Sequence, residues 1–214
     1  MKQIYPINEI FYSLKGEGQW TGKPMIFIRL SGCNLTCSFC DTKHQTSTAM
    51  TTKEILERIK PFPAKKIVIT GGEPMLYDLE ELTMALMDND YMLHLETNGT
   101  FPTGENFYWV ACSPKSPVGT LYPATIQHAD EIKFLVGGEG WKSYIDQVMN
   151  EFNPVGELFV MPLAESWKVE HAFHEGVRGP EGLIQSNMQL AIDYCLYHPE
   201  FSFCLQVHKV LRIL

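Results

Sequence analysis

The chain contains 214 residues, of which 45% are hydrophobic and 20% are charged, and its formal net charge is -8. This length suffices for one well-buried domain and is short for two, so we expect a single domain over residues 1–214. The negative charge and the lack of a Lys/Arg run argue against nucleic acid or an anionic membrane as a partner, because both attract clustered positive charge.

The beginning of the chain, MKQIYPINEIF, has no uninterrupted apolar run after a basic start, and no segment approaches 18 apolar residues. We therefore expect neither a signal peptide nor a membrane span. A cytoplasmic location is the resulting expectation. Its reducing environment would keep thiols free and an iron-sulfur cluster intact.

Short β-branched or aromatic runs alternate with helical patterns along the chain. Predicted strands cover residues 25–30, 66–70, 91–96, 107–111, 131–136, 158–161 and 201–207, and predicted helices cover 52–60, 78–89, 141–152 and 181–197. Several strands are apolar on both faces, which is typical of a parallel sheet covered on both sides. The pattern predicts an α/β fold with right-handed crossovers. Because clear helices are fewer than strands, we expect a partial βα barrel with about six parallel strands.

Polar loops that carry Gly or Pro follow most of the predicted strands. They cover residues 31–42, 70–74, 96–99, 113–115 and 161–164. Active sites of parallel sheets form at the carboxyl ends of the strands. We therefore expect these loops to meet at one edge of the sheet and to form a site there.

The first loop, SGCNLTCSFCDT, places Cys33, Cys37 and Cys40 in a CxxxCxxC motif. A closed structural zinc site needs four protein ligands, and a [4Fe-4S] cluster needs four thiolates or a substitute. Three thiols would leave one iron free to bind a small molecule through nitrogen and oxygen. Half of a zinc site, completed by His44 or a distant Cys, is an open alternative. A disulfide framework is disfavoured because it needs an oxidising compartment.

The second loop contains Gly71 and Gly72, where the backbone can approach a ligand closely. On its own, an ordinary strand-to-helix turn explains these glycines as well. Together with the upstream cysteines and Phe39, however, the GGEP motif resembles the radical S-adenosylmethionine (SAM) superfamily. The resemblance implies a [4Fe-4S] cluster whose open iron binds the amino and carboxylate groups of SAM. One electron from the cluster then cleaves SAM to give the 5'-deoxyadenosyl radical.

Further motifs narrow the resemblance. They are LKGEG at residues 14–18, Arg29 within the first predicted strand, Asp41-Thr42 after the last cysteine, and QVHKVLRIL at residues 206–214. From Tyr5 to Leu214 the chain resembles the 7-carboxy-7-deazaguanine synthase family, most weakly between about residues 164 and 180. The resemblance implies a lyase of queuosine biosynthesis that converts 6-carboxy-5,6,7,8-tetrahydropterin to 7-carboxy-7-deazaguanine and ammonia. The ring contraction begins with hydrogen abstraction at C6, and SAM is regenerated.

The same resemblance implies a set of site residues, with no catalytic residue beyond the cluster and SAM. Substrate contacts fall on Leu14, Lys15, Gly16, Glu17, Arg29, Thr70, His208 and Leu214, and a Mg2+ ligand falls on Thr42. Contacts to SAM fall on Phe39, Cys40, Asp41, Gly72, Ser113, Pro114, Lys115, Met161, Pro162, Leu163 and Ala164. Lys15 and Met161 stand where the family has Gln, so the family's side-chain contacts do not transfer to them directly.

Three of these assignments have a physical rationale and a simpler alternative. The pterin presents an edge of N–H donors that suits the carboxylate of Glu17, although a solvated turn acid explains this residue equally well. Arg29 is the one charge in an apolar strand and needs a carboxylate, supplied by the substrate or by a salt bridge to Glu96 or Glu17. Mg2+ often takes only one or two protein oxygens, which permits Thr42 as a ligand. Without the resemblance, Thr42 is an ordinary loop hydroxyl.

The resemblance also implies a homodimer and an external electron donor such as a flavodoxin or ferredoxin. The resemblance further implies that the C-terminal tail closes the substrate site, and the apolar ending LRIL predicts that this tail is ordered. Residues 164–180 read as an insert that contains His171 and His174, and a solvated helix or lid explains this HxxH better than a metal site.

Two other functions compete with the lyase. A glycyl-radical activase would share the fold and the cluster motif, but the GEG, CDT and QxHK features would then serve no purpose. A non-catalytic iron-sulfur or zinc interaction module is the other, and the intact CxxxCxxC and GGEP motifs argue against it.

Overall fold

Nine strands form one sheet in the computed structural model, which describes residues 3–115, 117–163 and 183–213. The strands are β1 Ile4–Leu14, β2 Pro24–Leu30, β3 Thr48–Thr51, β4 Lys66–Gly71, β5 Met92–Thr97, β6 Trp109–Cys112, β7 Glu131–Val136, β8 Glu157–Pro162 and β9 Phe201–Phe203. Their order across the sheet is β3-β1-β2-β4-β5-β6-β7-β8-β9.

The sheet is parallel from β2 to its β9 edge, which gives seven parallel strands in a row. It does not close on itself, so the architecture is a partial barrel, and the predicted α/β class is confirmed. The antiparallel strands β1 and β3 extend the other edge and were not predicted. Pro6, Asn8 and Glu9 interrupt the apolar pattern of β1, which hides this strand in the sequence.

Six helices accompany the sheet among the described residues. They are α1 Thr52–Ile59, α2 Glu80–Met87, α3 Pro123–His128, α4 Trp141–Phe152, α5 Leu183–Tyr197 and α6 Val207–Leu211. A capping box starts α1, because Thr51 accepts a hydrogen bond from the Glu54 backbone while the Glu54 carboxylate accepts one from the Thr51 backbone. The helices predicted at 52–60 and 141–152 are confirmed. The predicted start of the last long helix, residues 181–182, lies outside the described residues.

The predicted strand at residues 201–207 is wrong beyond Phe203. Phe203 is the last residue of β9 that pairs with β8, and the chain then turns so that the Val207 amide donates to the Gly16 carbonyl at 2.8 Å. This contact with the loop after β1 starts α6. His208 therefore lies in the first turn of a short helix, not near the end of a strand.

Two apolar clusters pack against the sheet and hold the helices in place. One joins β5 to β9 with α3, α4 and α5, and the other joins β1, β2, β4 and β5 with α1 and α2. In the second cluster Ile67 and Ile69 of β4, Ile59 of α1, and Leu82 and Leu86 of α2 are completely buried. No described helix is long and apolar enough to cross a membrane.

Truncation of Leu82 to Ala tests this packing. We expect the free energy of unfolding to fall by about 2–5 kcal/mol, because a fully buried side chain is replaced by a cavity. Urea denaturation of the apoprotein, followed by circular dichroism, measures the change. The control is Met84→Ala on the same helix, where the side chain is 54% exposed and the expected change is within about 0.5 kcal/mol. Equal losses in the two variants would contradict the burial of α2.

Candidate active site

A cavity of about 690 Å³ opens at the carboxyl ends of the parallel strands. Five strands contribute side chains to its wall, namely β2, β4, β5, β7 and β8, through Arg29, Thr70, Glu96, Leu135 and Met161, and Ser113 lines it directly after β6. Parallel strands bring their carboxyl ends to one edge, so the polar loops that follow them meet here. The cysteine loop and α6 complete the wall.

Most of the expected site residues line this cavity. They are Leu14, Lys15, Gly16, Glu17, Arg29, Cys33, Cys37, Phe39, Cys40, Asp41, Thr42, Thr70, Gly72, Ser113, Lys115, Met161, Leu163 and His208. Pro114 lines an adjoining cavity of about 410 Å³ at the start of α4, and Pro162 lies buried at the end of β8. Ala164, Leu214 and the expected insert at 164–180, with His171 and His174, lie outside the described residues.

The three motif cysteines lie on one short loop at the cavity wall. The Cys40 amide donates to the Cys37 carbonyl at 3.1 Å, which turns the loop back on itself. Burial raises the pKa of Cys37, Lys115 opposes this shift, and the charges of Cys33 and Cys40 add to it. The three thiols are therefore within electrostatic range of one another. All six cysteines of the chain are described, and none forms a disulfide bond.

The three thiols of this loop suit a [4Fe-4S] cluster in which each thiolate binds a separate iron and one iron has no protein ligand. Among the residues that the structure describes, no group of three or more His, Cys, Asp or Glu side chains is placed to hold one metal ion. A [4Fe-4S] cluster distributes its thiolates over separate irons and does not require them to converge on one point.

A bulge in β1 positions the cysteine loop. The pairing of β1 with β2 is irregular between Ile7 and Glu9, so that Asn8 falls out of register. Its amide donates to the carbonyls of Lys43 and Thr46 at 3.0 and 2.8 Å. The strand β1, which was not predicted from the sequence, therefore anchors the end of the loop.

The glycines after β4 pack directly against the cysteine loop. A Cβ atom on Gly72 would overlap the Gly32 carbonyl and the Cys33 side chain, and one on Gly71 would overlap the backbone of Leu30. The Glu73 amide donates to the Gly32 carbonyl at 2.9 Å. The two glycines therefore allow the two loops to approach each other closely. They also begin a strand-to-helix turn, because a 3-10 turn follows at Pro74–Leu76.

Glu73 is a structural residue that sequence reasoning left without a role. Its fully buried carboxylate accepts hydrogen bonds from the Met75 amide at 3.0 Å, the Asn98 amide at 2.7 Å and the Thr97 hydroxyl at 2.9 Å. Burial raises its pKa, and the bonds from Asn98 and Met75 oppose that shift. Glu73 therefore fastens the loop after β4 to the loop after β5.

Arg29 is paired within the protein, but not with either expected partner. Its Nε donates to Glu9 Oε1 at 2.7 Å, so the alternative salt bridge to Glu96 or Glu17 is wrong. The reason is register, because Glu9 stands directly opposite Arg29 in the β1–β2 pair. The Arg29 Nη1 atom lies 3.5 Å from the Thr42 hydroxyl. This free end of the guanidinium and the hydroxyl face the same part of the cavity.

A buried network of charges lies on the other side of the cavity. Lys133 of β7, whose side chain is 1% exposed, donates to Glu17 Oε2 and to Glu96 Oε2, each at 2.8 Å. Lys15 forms an ion pair with the other oxygen of Glu96. Sequence reasoning missed Lys133 and Lys15 as ion partners. The signal was present for Lys133, since a lone lysine in the apolar run EIKFLV needs a buried partner, as Arg29 does.

The lysines decide the charge state of these two carboxylates. Burial by itself would raise the pKa of Glu17, but Lys133 and Lys15 hold it well below its usual range. Burial likewise opposes ionisation of Glu96, yet the same two lysines lower its pKa to about 2. Burial also disfavours the Lys133 ammonium, and Glu17 and Glu96 outweigh it to raise the lysine pKa well above its ordinary value. Both glutamates are therefore ionised at neutral pH.

The C-terminal segment ties the two sides of the cavity together. Gln206 donates to Glu17 Oε1 at 2.7 Å, and Lys209 pairs with Asp41 beside the last motif cysteine. The His208 ring packs against Gly16 so closely that a Cβ atom there would overlap it. The segment that contains α6 therefore covers the cavity from the loop after β1 to the cysteine loop.

Comparison with known proteins shows what this arrangement is similar to. A model of the radical SAM superfamily matches residues 27–145. The 7-carboxy-7-deazaguanine synthase of Bacteroides thetaiotaomicron is 38% identical over 207 residues, which cover 97% of each chain. That of a Synechocystis species is 32% identical over 98% of this chain and 93% of its own. The crystal structure of QueE from Escherichia coli superposes with a TM-score of 0.77 at 28% identity, covering 96% of this chain and 95% of the other.

Substitution of Gly72 by Ala tests the contact between the two motif loops. The added methyl group would force the Gly32 carbonyl and Cys33 away from β4, so we expect the iron bound after anaerobic reconstitution to fall at least about tenfold. Iron and sulfide analysis measures the change. Gly119→Ala is the control, because nothing lies within 4 Å of its Cβ position. Wild-type iron content in Gly72→Ala would show that the loops need not touch.

Proposed function

We propose a working mechanism from the premise that this chain belongs to the 7-carboxy-7-deazaguanine synthase family of the radical SAM superfamily. It is a radical SAM lyase of queuosine biosynthesis that forms 7-carboxy-7-deazaguanine. The substrate we propose is 6-carboxy-5,6,7,8-tetrahydropterin, with ammonia as the second product.

One observation carries the proposal. The cysteine loop, the GGEP loop, the ionised Glu17, and the pair formed by Arg29 and Thr42 all line a single cavity of about 690 Å³. A cluster-bound cofactor and a bicyclic substrate would therefore lie within reach of each other. Separate cavities would not support direct hydrogen abstraction.

The residues for the cofactors lie at the cysteine end of this cavity. Cys33, Cys37 and Cys40 would hold the [4Fe-4S] cluster through their thiolates, and Gly72, which lines the same cavity, would contact the SAM amino group beside them. Phe39, Lys115 and Leu163 line both this cavity and the adjoining one, so we assign the rest of SAM to their junction. When bound, the cluster and SAM supply the 5'-deoxyadenosyl radical that starts the ring contraction.

Glu17 orients the pterin ring. An ionised carboxylate offers about four acceptor positions, and Glu17 uses one on each oxygen, for Gln206 and for Lys133. The remaining positions can accept the N–H donors along the guanidine-like edge of the pterin. His208, which packs on Gly16 at the same wall, would close over the ring.

Arg29 and Thr42 bind the opposite end of the substrate. The guanidinium keeps Nη1 free of its pair with Glu9 and directs it toward the Thr42 hydroxyl. A substrate carboxylate placed there would contact a cation and a Mg2+ ion held by the Thr42 oxygen and by waters. Anchoring at both ends holds C6 of the pterin in one position relative to the cofactor.

We also propose the assembly and surroundings of the enzyme. It works as one domain over residues 1–214, in which the C-terminal tail closes the substrate site and residues 164–180 are an insert. It receives electrons from an external donor such as a flavodoxin or ferredoxin, forms a homodimer and acts in the cytoplasm. The resemblance to the family implies the electron donor and the dimer, and the contacts of Gln206 with Glu17 and of Lys209 with Asp41 support closure of the site by the tail.

Anaerobic turnover tests the function. Reconstituted protein with reductant, SAM and 6-carboxy-5,6,7,8-tetrahydropterin should form 7-carboxy-7-deazaguanine and ammonia in equal amounts, without net consumption of SAM. Cys37→Ala should abolish both the product and the cluster absorbance, since two thiolates cannot hold the cluster. Cys195→Ala, which changes a thiol on α5, should retain both. Consumption of SAM without deazapurine from the wild-type protein would refute the proposal.

Replacement of Thr42 by Val tests the Mg2+ ligand. Loss of one charge-assisted contact costs about 1.5–3 kcal/mol, so half-maximal activity should need at least about tenfold more Mg2+. A Mg2+ titration of initial rates measures this shift, and an unchanged iron content shows that the cluster is intact. Thr48→Val, at an exposed position of β3, should titrate like the wild-type enzyme. Identical Mg2+ requirements in all three proteins would exclude Thr42 as a ligand.

A further inference from the structure

We infer that Lys133 is a positioning residue: its ammonium group holds Glu17 and Glu96 ionised and correctly oriented, so that they receive the N–H edge of the substrate. This inference rests on the proposed function, because it concerns how the same site binds its pterin. Lys133 does not contact the reacting atoms itself.

The geometry places Lys133 between the two carboxylates and out of reach of solvent. Glu17 and Glu96 line the cavity, while the Lys133 side chain is 1% exposed and donates two of its three N–H groups to them. The three residues come from the loop after β1, from β5 and from β7. One buried cation therefore fixes the relative position of three separate elements.

Each carboxylate is fixed at both of its oxygens. Gln206 holds Glu17 Oε1 at 2.7 Å while Lys133 holds Oε2, and Lys15 pairs with the Glu96 oxygen that Lys133 leaves. A carboxylate held in this way cannot rotate about its last bond. Its remaining lone pairs keep fixed directions into the cavity, which is what recognition of a planar N–H edge requires.

The surroundings would not keep these carboxylates ionised without the lysine. Burial disfavours the charged form of both, and Glu17 and Glu96 also repel each other. Glu131, two residues before Lys133 on the same face of β7, adds a third buried carboxyl group. Lys15 also stabilises both charges, and it remains when Lys133 is removed.

Other titratable groups face the two carboxylates from every element around them. They are Lys15 on the loop after β1, Asp41 on the cysteine loop, His94 on β5, Cys112 on β6, Glu131 on β7, Cys204 after β9 and His208 on α6. Burial lowers the pKa of His94 to about 4, lowers that of His208, and raises that of Cys112 to about 12. His94 and Cys112 therefore stay neutral between pH 6.5 and 9, and protonation of His208 at the lower end appears in the wild-type profile as well.

The sign of the expected pH effect follows from these directions. In the wild-type protein the pKa values of Glu17 and Glu96 lie below the ordinary range, so both groups stay charged throughout the working range. Without Lys133, burial dominates and the pKa values rise toward neutrality. The acceptors are then lost as the pH falls and recovered as it rises.

Equilibrium binding of the carboxypterin tests the inference. The probe is 6-carboxy-5,6,7,8-tetrahydropterin, titrated into cluster-loaded enzyme with SAM and without reductant, by anaerobic calorimetry from pH 6.5 to 9. For Lys133→Met we expect Kd at pH 6.5 to rise at least about tenfold, and to return toward the wild-type value at pH 9. Lys133→Arg should restore a pH-independent Kd, although its different shape weakens binding at every pH.

Controls separate this role from a merely structural one. Lys66→Met removes a lysine of β4 whose ammonium lies 5.8 Å from the centre of the Trp20 ring, away from the cavity, and it should reproduce the wild-type profile. The wild-type profile also contains the ionisations of the substrate itself, so the Kd of each variant is expressed relative to the wild-type Kd at the same pH. Weakening of Lys133→Met by the same factor at every pH would overturn the inference.

A second pair of variants keeps the test decisive if Lys133→Met does not fold. The double variant Glu96→Gln/Lys133→Met neutralises Glu96 and leaves Glu17 without Lys133. Its Kd should therefore still depend on pH through Glu17. Glu96→Gln alone should bind independently of pH, since Lys133 still faces Glu17. If neither Met variant loads iron, Lys133 serves folding and the inference is overturned. Wild-type enzyme that forms no deazapurine would instead refute the proposed function, whatever the binding profiles show.

Discussion

The contact between two backbones, at Gly72 and Gly32, is the constraint on which the rest of the site depends. No side chain fits between the loop after β4 and the cysteine loop, so the cysteines are held directly over the end of the parallel sheet. Glu73 then fastens this pair of loops to the end of β5 through three hydrogen bonds. The most reactive part of the enzyme is therefore positioned by main chain and by one buried carboxylate, which leaves the surrounding side chains free to bind ligands.

The far wall of the cavity uses a different solution. There the positions of Glu17 and Glu96 depend on buried charge, with Lys133 and Lys15 as counter-ions. Such networks are stable only when every member has a partner, because an unpaired buried charge is very costly. The same arrangement provides acceptors that stay ionised at the wall of the cavity.

Much of this could be predicted from the sequence, because local patterns determine it. The apolar strands, the two motif loops and the order of polar loops required no knowledge of distant contacts. Pairing across the sheet was harder to predict: β1 and its salt bridge from Glu9 to Arg29 depend on a register that no local pattern encodes. The turn after Phe203 likewise arises from a hydrogen bond between Val207 and Gly16, which are far apart in the chain. Lys133 was detectable as an isolated charge in an apolar strand, but its partners were not.

The position of α6 has a consequence for how the two ligands communicate. Gln206, which precedes this five-residue helix, donates to Glu17, while Lys209 within the helix pairs with Asp41 on the cysteine loop. The two contacts lie three residues apart, so a shift of this segment at one end of the cavity would also move the contact at the other end. Any linkage between the cofactor end and the pterin end would then act equally in both directions, as thermodynamics requires.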